Sequence, residues 1–316
     1  MADNMYIESL LTGVAADHSI KAREELIGDV LFPIVKVAKP TGLFYTYSKE
    51  QAYKIIDDTM SETGEAKELK WAGDRQSFFC TPRGNKTFIN NDEERFKEGP
   101  FVKADLDFVK DIITNIERNR EKRIIDKVLN LPSRNTTLTG TGTAKTNKWA
   151  NGQGNPYDAI KDAINLCFYR PNILVLSRTV LDALEVHAKL LDKLGEANMI
   201  KKVNIETLQK LFDIEKVVIA EGRGDSTKQD SSGSINPTLF WGNNVVLAYA
   251  DSRPNVPCAG KTFMVNYTEA DGNGYVVRKW DEPRNGILGG HTIQVACNMD
   301  EFVISNDLIY AIKEVL

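Results

Sequence analysis

Residues 101–132 read FVKADLDFVKDIITNIERNREKRIIDKVLNLP, and no glycine or proline interrupts them between Val102 and Leu131. The apolar residues Leu106, Val109, Ile113, Ile116, Ile124 and Val128 recur on one face of a helical period, provided Arg120 occupies the step between Ile116 and Ile124. The stretch predicts one long amphipathic helix. Asp105 and Asp107 fall in its first turn, where negative charge suits the helix dipole, and Pro132 prevents continuation at the other end. At the α-helical rise, a run of about 25 residues makes a rod of roughly 38 Å. Its middle, ERNREKR at 117–123, carries four cations against two anions. On a helix such a segment is more often a solvated or partner-facing stripe than a reader of nucleic acid.

Toward the N-terminus lies a polar excursion flanked by strand patterns. Residues 1–25 form an arm in which Tyr6, Ile7, Leu10, Leu11 and Val14 keep helical spacing, too short to make a core alone. Residues 26–37 (LIGDVLFPIVKV) are rich in β-branched side chains and contain Pro33, which suits an edge or bulged strand. Leu43 to Tyr47 alternate as a strand, and residues 77–89 (SFFCTPRGNKTFI) offer another. Between Lys49 and Lys70 stand four lysines and six acids. A structureless polar loop of that length argues against a compact hairpin unless it has a task elsewhere. With Tyr53, Ile55, Ile56, Leu69 and Trp71 embedded in charge, it suits docking on a neighbour.

Beyond the helix, residues 133–156 are rich in Thr, Gly and Asn, a loop signature. The pattern then turns to mixed α/β. Helices are expected over 157–168, 179–195 (as one or two) and 204–212 with Asn204 as N-cap, and strands over 172–176 and 216–220. Residues 222–237 read as a second loop. Strand patterns follow at 244–250, 262–266, 275–280 and 291–297, and an apolar segment closes the chain over 302–316.

A chain of 316 residues has room for one large domain or two, with a sizeable core. Cys80, Cys167, Cys258 and Cys297 lie far apart without a CxxC pair, and His18, His187 and His291 are scattered, so no metal site is expected. The thiols read as reduced, structural cysteines of a cytosolic protein. No apolar run approaches the ~20 residues of a membrane span, and the Asn135 and Asn266 sequons carry little weight without a secretory route. A net charge of −4 is unlike a protein built to grip nucleic acid. Ala259-Gly260-Lys261-Thr262 fails as a phosphate loop because Asn255 stands where the first glycine is needed, and the Gly140/Gly142 pair lacks the third glycine of a dinucleotide fingerprint. Arg223-Gly224-Asp225 matches an adhesion tripeptide, a motif short enough to arise by chance. Adjacent acids such as Asp57-Asp58 and Glu93-Glu94 are ordinary solvated surface, so the residues call for neither catalysis nor a cofactor.

The order of arm, strand, charged hairpin, long helix, α/β segment and returning strands resembles the major capsid proteins of tailed bacteriophages. That Hong Kong ninety-seven-type fold is shared with encapsulins and gene-transfer-agent shells. The likeness rests on residues 22–33 (AREELIGDVLFP) leading into Phe44-Tyr45-Thr46-Tyr47, on the helix segment 111–129, and on the ending 292–315 (TIQVACNMDEFVISNDLIYAIKEV). It spans nearly the whole chain as order and texture.

The resemblance implies an α+β capsid fold in which residues 1–38 are the N-terminal arm and first strand, and residues 39–100 the extension loop. Residues 101–155 and 272–304 would form the peripheral domain with its spine helix at 105–130, and residues 156–271 and 305–316 the axial domain. It implies a structural, non-enzymatic subunit that assembles with itself through hexamers and pentamers into an icosahedral shell around phage DNA, held only non-specifically. Scaffolding, portal and decoration proteins would be further partners, any scaffold being a separate protein, and no membrane is involved. The location would be the virion capsid, assembled in the bacterial cytoplasm. Tyr53, Ile55, Leu69 and Trp71 in the loop and Arg118 and Arg120 on the helix are the expected contacts between subunits. Lys49, Lys54, Lys67 and Lys70 have no marked partner, so cross-linking is not expected. The rival readings are a soluble α/β enzyme, from the alternation over 157–220, and, more remotely, an adhesion module.

Overall fold

The computed structural model describes residues 6–24, 26–46, 55, 58–60, 64, 74–91, 105–139, 147–194, 203–224, 237–253, 256–267, 274–285 and 287–316. After a first helix α1 (Ser9–Glu24) and a single turn α2 (Gly28–Leu31), the long helix α3 runs from Asp105 to Leu129. It buries Val109, Ile112, Ile113, Ile116, Ile124, Ile125 and Val128, with Glu117, Arg120 and Glu121 beside them. Arg120 does fill the apolar period's missing step, whereas Leu106 faces outward at 37% exposure.

The N-terminal half of α3 lies on a six-stranded sheet. Its order is β1 (Tyr6–Ile7), β13 (Tyr275–Glu282), β14 (Gly290–Val303), β12 (Gly260–Val265) and β2 (Ile34–Val37), with β5 (Thr81–Asn90) also paired to β14. Apolar side chains of α3 meet Met264, Tyr275, Val277, Ile293, Val295 and Met299 from the sheet, and α1 adds Leu11 and Ala15. The arm is thus folded back on its own chain. Thr12 Oγ1 accepts from Val277 N (3.3 Å), and Arg23 at the other end of α1 reaches Glu117 of α3.

The C-terminal half of α3 meets a five-stranded sheet ordered β6 (Asn135–Thr137), β15 (Ile309–Lys313), β11 (Val245–Ala248), β7 (Ile173–Ser177) and β8 (Lys216–Ala220). All residues of β7 and β11 are buried, as continuous apolar runs require when both faces are covered. One face carries the helices α4 (Pro156–Leu166), α5 (Arg178–Glu185), α6 (Ala188–Leu194) and α7 (Ile205–Phe212). The other packs on Ile124, Ile125 and Val128 of α3 and on Ile27, Leu31 and Phe32. Asn204 precedes α7 with extended backbone and donates its N–H to Thr207 Oγ1, a cap of the expected kind.

Several local expectations change. Residues 26–37 do not form one strand: Gly28–Leu31 turns as a helix because Glu121 accepts the N–H groups of Ile27 and Gly28, and only Ile34–Val37 pairs, at the sheet edge. The strand expected over 77–89 breaks at Cys80 into β4 (Asp74–Phe79) and β5, which join different sheets. Strand β12, grouped in sequence with the α/β segment, pairs instead with β14 and β2. Strand β6, grouped with the long helix, pairs with β15. The stretch read as a loop over 133–156 also contributes Leu138 and Trp149 to the α/β core, tied by Leu138 N to Lys313 O (3.0 Å) and Trp149 N to Val315 O (2.6 Å). A short ladder of β9 (Arg223–Gly224) with β10 (Thr238–Leu239) stands apart.

Candidate functional site

Two features stand out, an exposed ribbon and a buried junction. The ribbon is β3 (Thr41–Thr46) paired antiparallel with β4, opposing Leu43 to Ser77 and Tyr45 to Arg75. The alternation TGLFYT divides its faces. Phe44 points inward, with ring centroids 5.6 Å from Phe263 and 5.7 Å from Phe302, and Phe78 stacks on Phe263 at 4.5 Å. Leu43, Tyr45 and Phe79 point outward at 67%, 53% and 58% exposure, and Arg75 lies 5.4 Å from the Tyr45 ring centroid. Two strands alone are marginal, so the aromatic cluster fixes this ribbon to the body. Gly42 is required by that packing, since a Cβ there would meet the Phe78 ring at 2.6 Å.

The junction lies beneath the middle of α3. Arg120, 2% exposed, donates to Asp29 Oδ1 (2.5 Å), Glu117 Oε2 (3.3 Å), Phe32 O (2.9 Å) and Thr262 Oγ1 (3.0 Å). Burial works against its charge, but Asp29 and Glu117 outweigh burial and raise its pKa further. Glu117 accepts from Tyr275 Oη at 2.5 Å, and Arg23 Nε lies 3.0 Å from the same oxygen as an ion pair. Burial first, then the Glu117 charge, push the Tyr275 phenol well above its ordinary range. Glu121 accepts from Ile27 N (3.2 Å), Gly28 N (2.6 Å) and Trp241 Nε1 (2.6 Å); burial raises its pKa and these donors oppose the rise. One turn of helix thereby ties α1, α2, both sheets and the segment before β11.

Further ties flank the junction. Asp105, at the start of α3, accepts from Lys279 (2.8 Å) and lies 3.2 Å from His291 Nε2. Near the other end, Arg123 pairs with Glu301, and Lys127 lies 3.3 Å from Asp300.

Of the residues expected at subunit contacts, Ile55 is 96% exposed and Arg118 is exposed on α3. Arg120 is corrected: its guanidinium is spent inside its own chain, because the apolar period that it completes turns it toward the core. Tyr53, Leu69 and Trp71 lie outside the described residues, as do Lys49, Lys54, Lys67 and Lys70. Lys261 is buried, donating to Arg253 O (2.7 Å), and Gly260–Val265 is a strand, so the phosphate-loop geometry is absent there. Arg223 and Gly224 sit in β9, while Asp225 lies outside the described residues. Among the described residues no group of three His, Cys, Asp or Glu could hold a metal ion, and no helix is long and apolar enough to cross a membrane. Sequence reasoning missed Arg23, Asp29, Glu117, Glu121, Trp241 and Tyr275. The available signal was the flanking of Arg120 by Glu117 and Glu121, which puts both acids beside the buried stripe.

No protein-family model matches the chain. Over 304 residues it is 25% identical to the major capsid protein of Pseudomonas phage JBD67, covering 90% of this chain and 89% of that one. To the major capsid protein of Burkholderia phage BcepMu it is 23% identical over 301 residues, covering 90% and 93%. In structure it is similar to a phage-related protein of Bordetella bronchiseptica RB50, with TM-score 0.70 and 20% identity over 100% of this chain and 99% of that one. The capsid of cyanophage P-SCSP1u matches with TM-score 0.58 and 10% identity, covering 91% and 87%. The chain has the phage capsid fold, and the curated relatives it resembles along nine-tenths of its length are phage major capsid proteins.

Proposed function

We propose that this chain is a phage major capsid protein, a structural subunit that assembles with copies of itself into the icosahedral shell of the virion. The observation that carries this reading is the agreement of sequence and fold along almost the full length of both partners. In this reading residues 39–100, which include the β3–β4 ribbon, are the extension loop lying on a neighbouring subunit. The six-stranded sheet with α3 is the peripheral domain, and the five-stranded sheet with its helices is the axial domain that gathers in hexamers and pentamers. Ile55, Arg118 and the loop residues Tyr53, Leu69 and Trp71 are contact candidates, now joined by Leu43, Tyr45 and Phe79. The interior holds DNA without gripping it, in keeping with a net charge of −4. A shell of many copies needs modest free energy per contact, because multivalency multiplies weak interfaces while leaving early errors reversible. Assembly in the host cytoplasm with separate scaffolding, portal and decoration proteins completes the reading.

Sedimentation and negative-stain microscopy of the purified protein, with and without a co-expressed scaffold, test it. Shells, or hexameric and pentameric capsomers, are expected. A monodisperse dimer under every condition would overturn it.

A further inference from the structure

The stretch Ala259-Gly260-Lys261-Thr262, which is no phosphate loop, leads into strand β12, and its residues are fixed one by one. Ala259 N donates to Tyr249 O (2.7 Å), Gly260 leaves room for the Phe32 ring, and Thr262 Oγ1 donates to Phe32 O (3.1 Å). Side chains alternate along a strand, so Lys261 leaves on the opposite face from Thr262, the face of Phe263 and Val265. It is 2% exposed. A buried ammonium is costly unless hydrogen-bonded, so its acceptors identify its task.

Those acceptors lie in the segment 251–258, DSRPNVPC, on the way from β11 to β12. Lys261 Nζ donates to Arg253 O at 2.7 Å and to Val256 O at 3.3 Å. Pro254 and Pro257 bring no N–H, so the segment has more carbonyl acceptors than main-chain donors of its own. The Cys258 thiol, its pKa pushed up to about 11 by burial, stays uncharged and donates to Gly260 O (3.5 Å). Asp251 is taken up by Arg253, accepting from Nη2 at 2.6 Å and from its N–H at 2.8 Å. Those bonds, helped by the charges of Arg253 and Lys261, hold the Asp251 pKa at about 2.

Main-chain carbonyls converging on one buried ammonium have the chemistry of a cation site whose ion is covalently attached. An ammonium suits it because its three N–H donors surround a compact charge, whereas a guanidinium is a flat fork that needs planar acceptors.

We propose that residues 251–258 form a cation-binding loop whose cation is the Lys261 ammonium, and that the loop, once emptied of it, takes up a small primary ammonium ion. Asp251 and Ser252 of this loop line a cleft with Asp29, Glu215 and Lys216, and the Arg253 side chain stands at 71% exposure. Lys261 is thus a positioning residue for a charged surface that it does not itself reach. This inference goes beyond the capsid reading and does not depend on it.

The test is chemical rescue of the full chain. Lys261→Ala removes the ammonium with most of its stem, and propylammonium restores the missing atoms. The thermal midpoint of K261A should fall below wild type and climb back along a saturating curve as propylammonium is added. Tetramethylammonium, which has the charge but no N–H, should not restore it, and the wild-type midpoint should respond to neither salt. Lys261→Met fills the space without a donor, so its midpoint should fall and stay unrescued. In K261M, hydrogen exchange at the Val256 N–H, which bonds to Arg253 O, should quicken about tenfold or more, as for the loss of a charge-assisted bond. A wild-type midpoint and exchange rate in K261M, or a K261A response equal for the two salts, overturns the cation loop. Should K261A fail to fold, its refolding yield with each salt replaces the midpoint, and a yield that propylammonium does not raise above that in tetramethylammonium overturns it equally. These readouts belong to the single chain and hold their meaning whether or not shells form, so failure of the capsid reading leaves them intact.

Discussion

Arg123 and Glu301 meet at two points, Nε to Oε2 at 3.0 Å and Nη2 to Oε1 at 2.8 Å, with the Glu301 side chain fully buried. The forked geometry fixes the long helix to the far end of β14, and Lys127 adds a bond to the Glu301 carbonyl. Arg123→Ala leaves a buried carboxylate without its counter-charge and should cost about 3 kcal/mol, read as a lower urea midpoint. Replacing both residues by methionine should recover most of that loss, because the cost lies in the uncompensated charge.

The outward face of the ribbon separates folding from assembly. Leu43→Glu and Tyr45→Glu change exposed side chains, and stability should stay within about 0.5 kcal/mol of wild type. Both should abolish shells or capsomers in sedimentation while thermal melts stay unchanged. Trp71→Glu is expected to behave in the same way. Wild-type particle yields would remove these residues from the interface.

Gly42→Ala places a methyl group 2.6 Å from the Phe78 ring and should displace it from its stack on Phe263. A destabilisation of about 1–3 kcal/mol is expected, as for other overpacked cores. Adding Phe78→Leu should relieve part of it, which a double-mutant cycle on denaturation midpoints would show.

Among the carboxylates held below their ordinary range, Asp105 and Asp300 are the partly buried ones and contribute to the acid limit. Burial opposes the charge on Asp105, but Lys279 and His291 outweigh burial; burial likewise opposes Asp300, where Lys127 and Arg83 prevail. Both folded-state pKa values therefore lie below the ordinary 3.8. The folded chain binds fewer protons than the unfolded one in that range, so the stability they contribute is present above 3.8 and lost as pH falls through the folded values. Glu121 acts with the opposite sign, because its pKa is raised: its contribution favours folding at low pH and declines as pH climbs above 4.5. Asp105→Asn and Asp300→Asn should each flatten the acid limb of a stability–pH curve measured by denaturant titration. An unaltered limb in both would refute the assignment.

Much of this architecture is local and was therefore legible. The long helix ends where Asp105 and Pro132 indicated, the buried strands at 173–177 and 245–248 are apolar runs, and Arg120 sits where the helical period required it. Pairing was not legible, because a strand pattern states which face is apolar and says nothing of which neighbour lies alongside. Hence β12 and β6 were grouped with the wrong sheets, and the break at Cys80 went unseen. The junction was half legible: the period turns Arg120 inward, yet its partners Asp29 and Tyr275 lie far along the chain. Of the four cations in residues 117–123 only Arg120 is buried, paired with Asp29 and Glu117, while Arg118 and Lys122 stay exposed.

The central position of β14 bears on how the protein is made. It pairs with β5, β12 and β13, and β15 likewise lies between β6 and β11, so both sheets wait for strands within residues 290–313. Neither sheet can close on the ribosome until translation has passed those residues. A nascent chain stalled earlier lacks the strand that three others pair with in one sheet and the strand between β6 and β11 in the other.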